Sequence, residues 1–182
     1  MPQATTQSES KGSGSKSAES KSEVVYESRV RVEAKGGGIK LVHLPAEMEP
    51  VPMGMHGAIA RHYKIPEGAY TPHASTLDYI VGATAGCLMG TVRRALQVRK
   101  IDTDGDRLLG EAIGEIEVED GVLVIRRIRM LVRLVAEESQ REAAERVIEV
   151  YASQCPVHRS LAKAIHITTE LEFQPMTMSA AQ

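Results

Sequence analysis

The sequence predicts an α+β domain, with antiparallel sheets and with helices segregated from the strands. Alternating apolar and charged residues near the start surround a Gly-Gly-Gly turn, a long helix of small residues follows, and a second alternating segment folds back across Asp120-Gly121. Because strands and helices do not alternate regularly, this pattern favours antiparallel sheets over a doubly wound fold. The 182 residues suffice for one domain with a sizeable core, which we place at residues 24–173.

Short strands are predicted before the long helix. Residues 24–34 alternate between apolar and charged side chains, which is typical of a strand with one solvated face. The turn at residues 36–38 then leads into a second strand at residues 39–44, forming a hairpin. Three prolines and two glycines make residues 45–57 irregular, and residues 58–64 are expected to form a short third strand.

The long helix should begin at Ser75 or Thr76 and end near Arg99. Either hydroxyl can cap the helix, and Asp78 in the first turn suits the positive end of the helix dipole. Three interior glycines recur every four residues along one ridge, and each costs about 1 kcal/mol relative to alanine. We expect another backbone to pack against this glycine ridge, which consists of Gly82, Gly86 and Gly90.

The second half of the chain reads as a hairpin, two helices and a closing strand. The hairpin covers residues 107–135, and its acidic and basic residues should pair across the two strands. An amphipathic helix covers residues 137–154. Cys155 follows, with Pro156 at the first position of a short helix that ends near residue 164. A strand at residues 165–173 closes the domain.

The two ends and the composition exclude several classes of protein. Residues 1–23 are mostly Ser, Lys, Glu, Gln and Gly, so we expect a disordered tail there, and a second tail at residues 174–182. Residues 1–21 lack the apolar run of a secretory signal, and no apolar stretch is long enough to cross a membrane. A net charge of −2 and the absence of Trp give no reason to expect a nucleic-acid or membrane partner. A cytoplasmic protein is expected.

The two cysteines, Cys87 and Cys155, are the candidate reactive groups. Cys155 precedes a helix N-terminus, which lowers a thiol pKa, whereas the apolar mid-helix position of Cys87 raises it. Local reasoning therefore favours Cys155 as the more acidic thiol. Each cysteine alone is most simply a buried packing residue, and only the pair indicates redox chemistry. Cys155 and His158 could join Cys87 or His166 around zinc, but a second close pair of ligands is missing.

Several of these segments, in this order, resemble the OsmC/Ohr family of thiol-dependent peroxide reductases. The matching segments are residues 75–87, the hairpin after them, Cys155-Pro156-Val157 with Leu161, and the closing strand; the separation of the cysteines (155 − 87 = 68) is also similar. The resemblance implies an OsmC-like fold in an intertwined homodimer whose Cys-bearing helices pack at the centre. It also implies that Cys87 attacks a hydroperoxide and that Cys155 resolves the resulting sulfenic acid as a disulfide.

The resemblance further implies that a dithiol reductant, a small molecule or a protein, reopens the disulfide, and that no cofactor is required. In the family an arginine held by a carboxylate activates the helix cysteine. Arg61 and Asp78 are the best matches here, with Arg29 or Arg31 as alternatives for the arginine. Where the family commonly has Pro and then Glu, this chain has Thr76 and Leu77. The alternative function is a non-catalytic protein of the same fold that binds a small molecule or senses redox state.

Overall fold

The computed structural model describes residues 23–176, which form two three-stranded sheets and four helices joined by short 3₁₀ turns. The predicted tails lie outside the described residues, apart from Glu23 at one end and residues 174–176 at the other. In chain order the elements are β1 (Arg31–Ala34), β2 (Lys40–His43), β3 (Val51–Met53), α1 (Gly57–His62), α2 (Thr76–Val98), β4 (Leu108–Glu119), β5 (Val122–Ala136), α3 (Arg141–Val150), α4 (Pro156–Leu161) and β6 (His166–Pro175).

The N-terminal sheet has the order β1-β2-β3, with both pairs antiparallel. The predicted first hairpin is present, but β1 begins at Arg31 rather than at residue 24, because β2 is only four residues long and offers no pairing partner further back. The third strand was predicted wrongly. It lies at Val51–Met53, where Pro52 is tolerated on an edge strand, and residues 58–64 instead form most of α1 and its end. Short apolar runs do not distinguish the two structures.

Helix α2 confirms the predicted start and end. Ser75 is the N-cap, and it forms a capping box with Asp78. The buried face of the helix repeats every four residues through Thr84, Leu88, Val92 and Leu96.

The glycine ridge of α2 faces away from the chain's own core. A Cβ atom added at any of its three glycines would meet nothing within 4 Å. Close contact occurs instead on β4, where a side chain on Gly110 would collide with Met89 and one on Gly114 with Val81. Within one chain, therefore, the glycines of β4 allow α2 to lie on the sheet, and the expected covering of the ridge stays a prediction.

The main sheet has the order β4-β5-β6. β4 and β5 form the predicted antiparallel hairpin, and its turn residues Asp120 and Gly121 both have the positive φ of a tight hairpin turn. β6 pairs parallel to β5, whereas antiparallel sheets were predicted, and it runs to Pro175, two residues beyond its predicted end. The parallel pairing follows from the connection, since α3 and α4 carry the chain back across the sheet.

The core lies between α2, the main sheet and α3. None of the helices in residues 23–176 is long and apolar enough to cross a membrane. The buried core cluster consists of Leu88, Val92, Leu96, Ile101, Ile125, Ile128, Met130, Val132, Leu134, Ala136, Ala144, Val147, Tyr151, Cys155 and Ile165.

Candidate redox site

Helix α2 places Cys87 at the edge of the core. The next residue, Leu88, is fully buried, so the cysteine lies beside the buried face and its side chain remains partly exposed. The Thr91 hydroxyl donates a hydrogen bond of 3.0 Å to the Cys87 carbonyl, one turn further along the helix. This bond ties Thr91 to the backbone and leaves the Cys87 sulfur to other partners.

Cys155 is the N-cap of α4, as predicted, with Pro156 at the first helical position. Its N–H donates to the Tyr151 carbonyl at 2.9 Å, and its own carbonyl accepts from the Arg159 N–H at 3.0 Å. The buried Tyr151 hydroxyl lies 2.6 Å from the Thr169 hydroxyl on β6. Two of these bonds hold the backbone of Cys155 and the third fixes Tyr151 on the sheet, and the exposed fraction of Cys155 is 0%.

The fold brings the two sulfur atoms to 3.5 Å from each other, although 68 residues separate them in the chain. Both are free thiols, and the Cys155 thiol donates to the Cys87 sulfur. A disulfide has a sulfur–sulfur distance of about 2.05 Å, so an approach of about 1.5 Å would form the bond.

The surroundings of Cys87 oppose its ionisation. Burial raises the pKa of the Cys87 thiol, the backbone amide of Val157 lowers it, and the neighbouring Cys155 raises it again. Val157 lies in the first turn of α4, so the helix end that sequence reasoning assigned to Cys155 also reaches Cys87. In the described part of a single chain, no cation is among the causes of this shift.

Asp78 lies at the start of α2 and accepts hydrogen bonds from three groups. The Ser75 N–H and hydroxyl each donate at 2.6 Å, and His56 Nε2 lies 2.8 Å away. Burial opposes ionisation, but the hydrogen bonds from Ser75 and His56 outweigh it and lower the pKa of Asp78. Its carboxylate is thus held by a histidine and a serine rather than by an arginine.

Arg61 is exposed near the end of α1. Within residues 23–176 no hydrogen bond or ion pair joins its side chain to Asp78 or to either sulfur. Helix α1 itself is held at both ends, through His56 to Asp78 and through His62 Nε2, which lies 3.1 Å from the Gly121 carbonyl. The structure therefore brings the helix of Arg61, but not its guanidinium, to Asp78.

The two alternative arginines already have partners. Arg29 pairs with Glu27 at 3.3 Å, and Arg31 pairs with Glu33 at 2.9 Å. His56 is the residue at this site that sequence reasoning missed. It lies 22 positions before Asp78, and no local pattern connects the two residues.

A zinc site gains no support from the geometry. Among the residues that the structure describes, no three His, Cys, Asp or Glu side chains come together as a metal would need. His158, the nearest ligand candidate to Cys155 in sequence, lies edge-on to the Tyr151 ring, with ring centroids 5.8 Å apart.

A cleft of about 350 Å³ lies between α2 and α3. It begins at Thr91, one turn after Cys87, and Arg94 and Arg99 also line it. Its apolar lining comes from Ala95, Val98, Val147 and Val150.

Comparisons with known proteins agree with this architecture. The family described as OsmC-like protein matches residues 68–170, more than half of the chain. An OsmC-like protein from Mycoplasma pneumoniae superposes with a TM-score of 0.64 at 14% identity, covering 82% of this chain and 99% of that one. The organic hydroperoxide resistance protein OhrB of Bacillus subtilis gives a TM-score of 0.59 at 14% identity, covering 82% and 100%.

A third solved structure, described as an organic hydroperoxide resistance protein OsmC from Legionella pneumophila, gives a TM-score of 0.56 at 10% identity, covering 84% of this chain and 99% of that one. At such identities these likenesses establish the fold alone. No curated protein matches the chain significantly.

Proposed function

Because the chain belongs to the OsmC-like protein family, we propose that it reduces organic hydroperoxides through a thiol cycle of Cys87 and Cys155. Family membership and the hydroperoxide resistance proteins among its structural neighbours support a role in peroxide stress. The observation that carries the proposal is the distance of 3.5 Å between the two sulfur atoms. The cycle requires a thiol reductant, which fits the cytoplasmic location expected from sequence.

The proposed cycle has three steps: oxidation of Cys87, disulfide formation with Cys155, and reduction of the disulfide. The Cys87 thiolate attacks the terminal oxygen of ROOH, the O–O bond breaks, and the leaving alkoxide takes a proton to become ROH. The Cys155 thiol attacks the resulting Cys87 sulfenic acid, forming the disulfide and releasing water. A dithiol then reduces the disulfide and is itself oxidised to a disulfide.

The surroundings of Cys87 favour an organic hydroperoxide over hydrogen peroxide. Apolar side chains border the sulfur pair and line the cleft that begins one turn away. Burial of an alkyl group against such walls contributes about 25 cal/mol per Å² of area removed from water. Hydrogen peroxide has no alkyl group and gains nothing from this burial. The expected result is a higher kcat/KM for cumene or tert-butyl hydroperoxide than for hydrogen peroxide.

The functional unit in this proposal is a homodimer. The glycine ridge of α2 is uncovered in a single chain, and Val30 and Val32 in and beside β1 are exposed.

In one chain Gly86→Ala should raise the free energy of unfolding by about 1 kcal/mol through helix propensity. If a partner's backbone covers the ridge, the same variant should weaken the dimer instead, as measured by sedimentation equilibrium. A stabilised monomer would contradict the homodimer.

Arg61 is the proposed cation for Cys87. Unlike Arg29 and Arg31, it has no ion pair within the described residues, so its guanidinium is available. Asp78 would then act indirectly, because its bond to His56 holds the helix that carries Arg61.

Arg61→Ala should lower kcat/KM on the order of tenfold or more by reducing the thiolate fraction of Cys87, and Arg61→Lys should retain much of the native kcat/KM. Arg29→Ala and Arg31→Ala are the matched controls, and a larger loss in either would move the role to that arginine.

The direct test is steady-state turnover of cumene and tert-butyl hydroperoxide with dithiothreitol. The native protein should turn over, and Cys87→Ser should lose all turnover. Without dithiothreitol, Cys155→Ser should still consume one equivalent of hydroperoxide and accumulate a sulfenic acid at Cys87 that dimedone traps. Equal rates for the native protein and Cys87→Ser would sink the proposal.

A non-catalytic role as a binder or redox sensor is the alternative. The raised pKa of Cys87 favours this alternative, and so does the lack, within residues 23–176, of a bond from Arg61 to Asp78 or to either sulfur, since a thiol without an activating cation reacts slowly. A binder would be indifferent to Cys87→Ser. A sensor would form the disulfide with one equivalent of hydroperoxide but turn over no faster with added dithiol.

A further inference from the structure

The two sulfur atoms differ in their access to solvent. Cys155 has no exposed surface and belongs to the buried core cluster together with Val147 and Tyr151. Cys87 is partly exposed on α2, whereas the chain's own core encloses Cys155 completely. A molecule from solution therefore reaches the sulfur pair from the side of Cys87.

We propose that the reductant always attacks the Cys87 sulfur of the oxidised protein, so that the mixed disulfide forms on Cys87 and Cys155 is the leaving group. This inference rests on the proposed function, whose cycle includes the disulfide. It assigns the step in which the reductant enters, and it makes Cys155 an internal thiol that exchanges only with Cys87.

The geometry of exchange supports this assignment. Thiol–disulfide exchange requires the incoming thiolate, the attacked sulfur and the leaving sulfur to lie nearly in line. Since Cys155 lies inside the core, the line from its sulfur through the Cys87 sulfur leads outward. The reverse approach, onto Cys155, would pass through space filled by the core cluster.

Reduction of the disulfide between Cys87 and Cys155 takes two exchange steps. One thiolate of the dithiol bonds to the Cys87 sulfur, the bond between Cys87 and Cys155 breaks, and Cys155 leaves as a thiolate that takes up a proton. The second thiol of the reductant then attacks the reductant's other sulfur, which is bonded to Cys87 in the mixed disulfide. Cys87 is released as a thiolate, and the reductant leaves as a disulfide.

A monothiol tests the assignment, because it stops at the mixed disulfide. The oxidised native protein is treated briefly with glutathione, quenched with acid, unfolded and alkylated with N-ethylmaleimide, digested, and analysed by mass spectrometry. We expect glutathione on Cys87 and the alkyl group on Cys155, with a preference on the order of tenfold or more set by access. Glutathione mainly on Cys155, or equally on both, would overturn the inference. Unfolding in urea before treatment is the control, and it should reduce the preference.

The starting disulfide is prepared in two ways, so that the two proposals can fail separately. Diamide forms it without any peroxide chemistry, and cumene hydroperoxide forms it through the proposed cycle. A disulfide from diamide but not from hydroperoxide would count against the proposed function and would still allow the attack site to be measured. If diamide also forms no disulfide between these cysteines, the inference is overturned.

Discussion

The N-terminal region (residues 23–75) and the C-terminal region (residues 76–176) are built differently. All members of the buried core cluster belong to the C-terminal region, which also holds both cysteines. Of the apolar side chains in residues 23–75, only Val42 and Ala60 are buried. One region can therefore fix the position of its reactive groups by its own packing. The other, which carries the candidate arginine, has most of its apolar surface uncovered.

A small set of bonds, the seam, joins the two regions. The seam consists of the capping bonds from the Ser75 N–H and hydroxyl to Asp78, and of three side-chain contacts further from the boundary: Tyr79 hydroxyl to the Pro52 carbonyl, His56 to Asp78, and His62 to the Gly121 carbonyl. Its distances range from 2.6 to 3.2 Å. Because so few bonds connect the regions, the position of Arg61 relative to Cys87 depends on the seam.

The largest expected effect is the stabilisation of the C-terminal region by its disulfide. Oxidation should raise the free energy of unfolding by up to about 4 kcal/mol, since the bond closes a loop of 68 residues in the unfolded chain. Urea unfolding of the oxidised and reduced protein measures it. Hydrogen exchange should slow in α2, α3 and α4 and remain unchanged in β1 and β2.

Cys155→Ser treated with the same oxidant is the control, and it should show no stabilisation. Equal slowing of exchange in both regions would contradict the comparison, because it would mean that the N-terminal region unfolds together with the core.

The second expected effect compares one substitution in the two regions. Val132 on β5 has an exposed fraction of 0%, and Val32 on β1 has 56%. Val132→Ala should lower the free energy of unfolding by about 2 kcal/mol through lost burial and a small cavity. In a single chain Val32→Ala should cost less than about 0.5 kcal/mol. If Val32→Ala costs as much as Val132→Ala, the first sheet is covered in the native protein, as the proposed homodimer requires.

The limits of sequence reasoning follow the same division. Local features were predicted correctly because each depends on neighbours within a few residues. They are the start of α2 at Ser75 with Asp78 in its first turn, the Asp120-Gly121 turn, and the start of α4 at Cys155-Pro156. The resemblance paired the cysteines, which spacing alone could not do. Helix α1 was mistaken for a strand because six residues carry too little periodicity, and the pairing of His56 with Asp78 depends on how the regions meet.

The glycines teach the same lesson inside the C-terminal region. The recurrence of Gly82, Gly86 and Gly90 predicted close packing, but within one chain the close packing occurs at Gly110 and Gly114 of β4. A strand's glycines have no recognisable spacing, because the side chains that demand them, Met89 and Val81, come from a different element. Packing between elements is what the sequence alone leaves undetermined.

The third expected effect tests the seam by pH. The hydrogen bonds from Ser75 and His56 hold the pKa of Asp78 below its ordinary value of 3.8 in the folded protein. A lowered carboxylate pKa contributes stability that is present above the unfolded pKa and is lost as pH falls through the folded pKa. Asp78→Asn should therefore cost about 1 kcal/mol at pH 7, the size of a lost helix cap, and the difference should shrink below about pH 4.

Urea unfolding of both proteins between neutral and acid pH measures this difference. Ser75→Ala is the matched control, since it removes the bonds of the Ser75 hydroxyl but keeps the carboxylate with its bonds to the Ser75 N–H and to His56. A difference for Asp78→Asn that stays constant down to acid pH would show that the carboxylate is not held in its ionised form by the seam.

The smallest expected effect lies on the solvated face of the main sheet, where the predicted cross-strand pairs are present. Arg127 on β5 pairs with Glu115 and Glu117 on β4, and all three side chains are well exposed. Exposed ion pairs contribute about 0–1 kcal/mol each, because water and salt screen the charges. Arg127→Gln should therefore cost less than Val132→Ala, and raising the salt concentration should narrow the difference between native protein and variant. Val132→Ala should show no such dependence on salt. If Arg127→Gln were the more damaging change, the stability of the C-terminal region would reside on its surface, and its buried core could not be what holds the two sulfur atoms together.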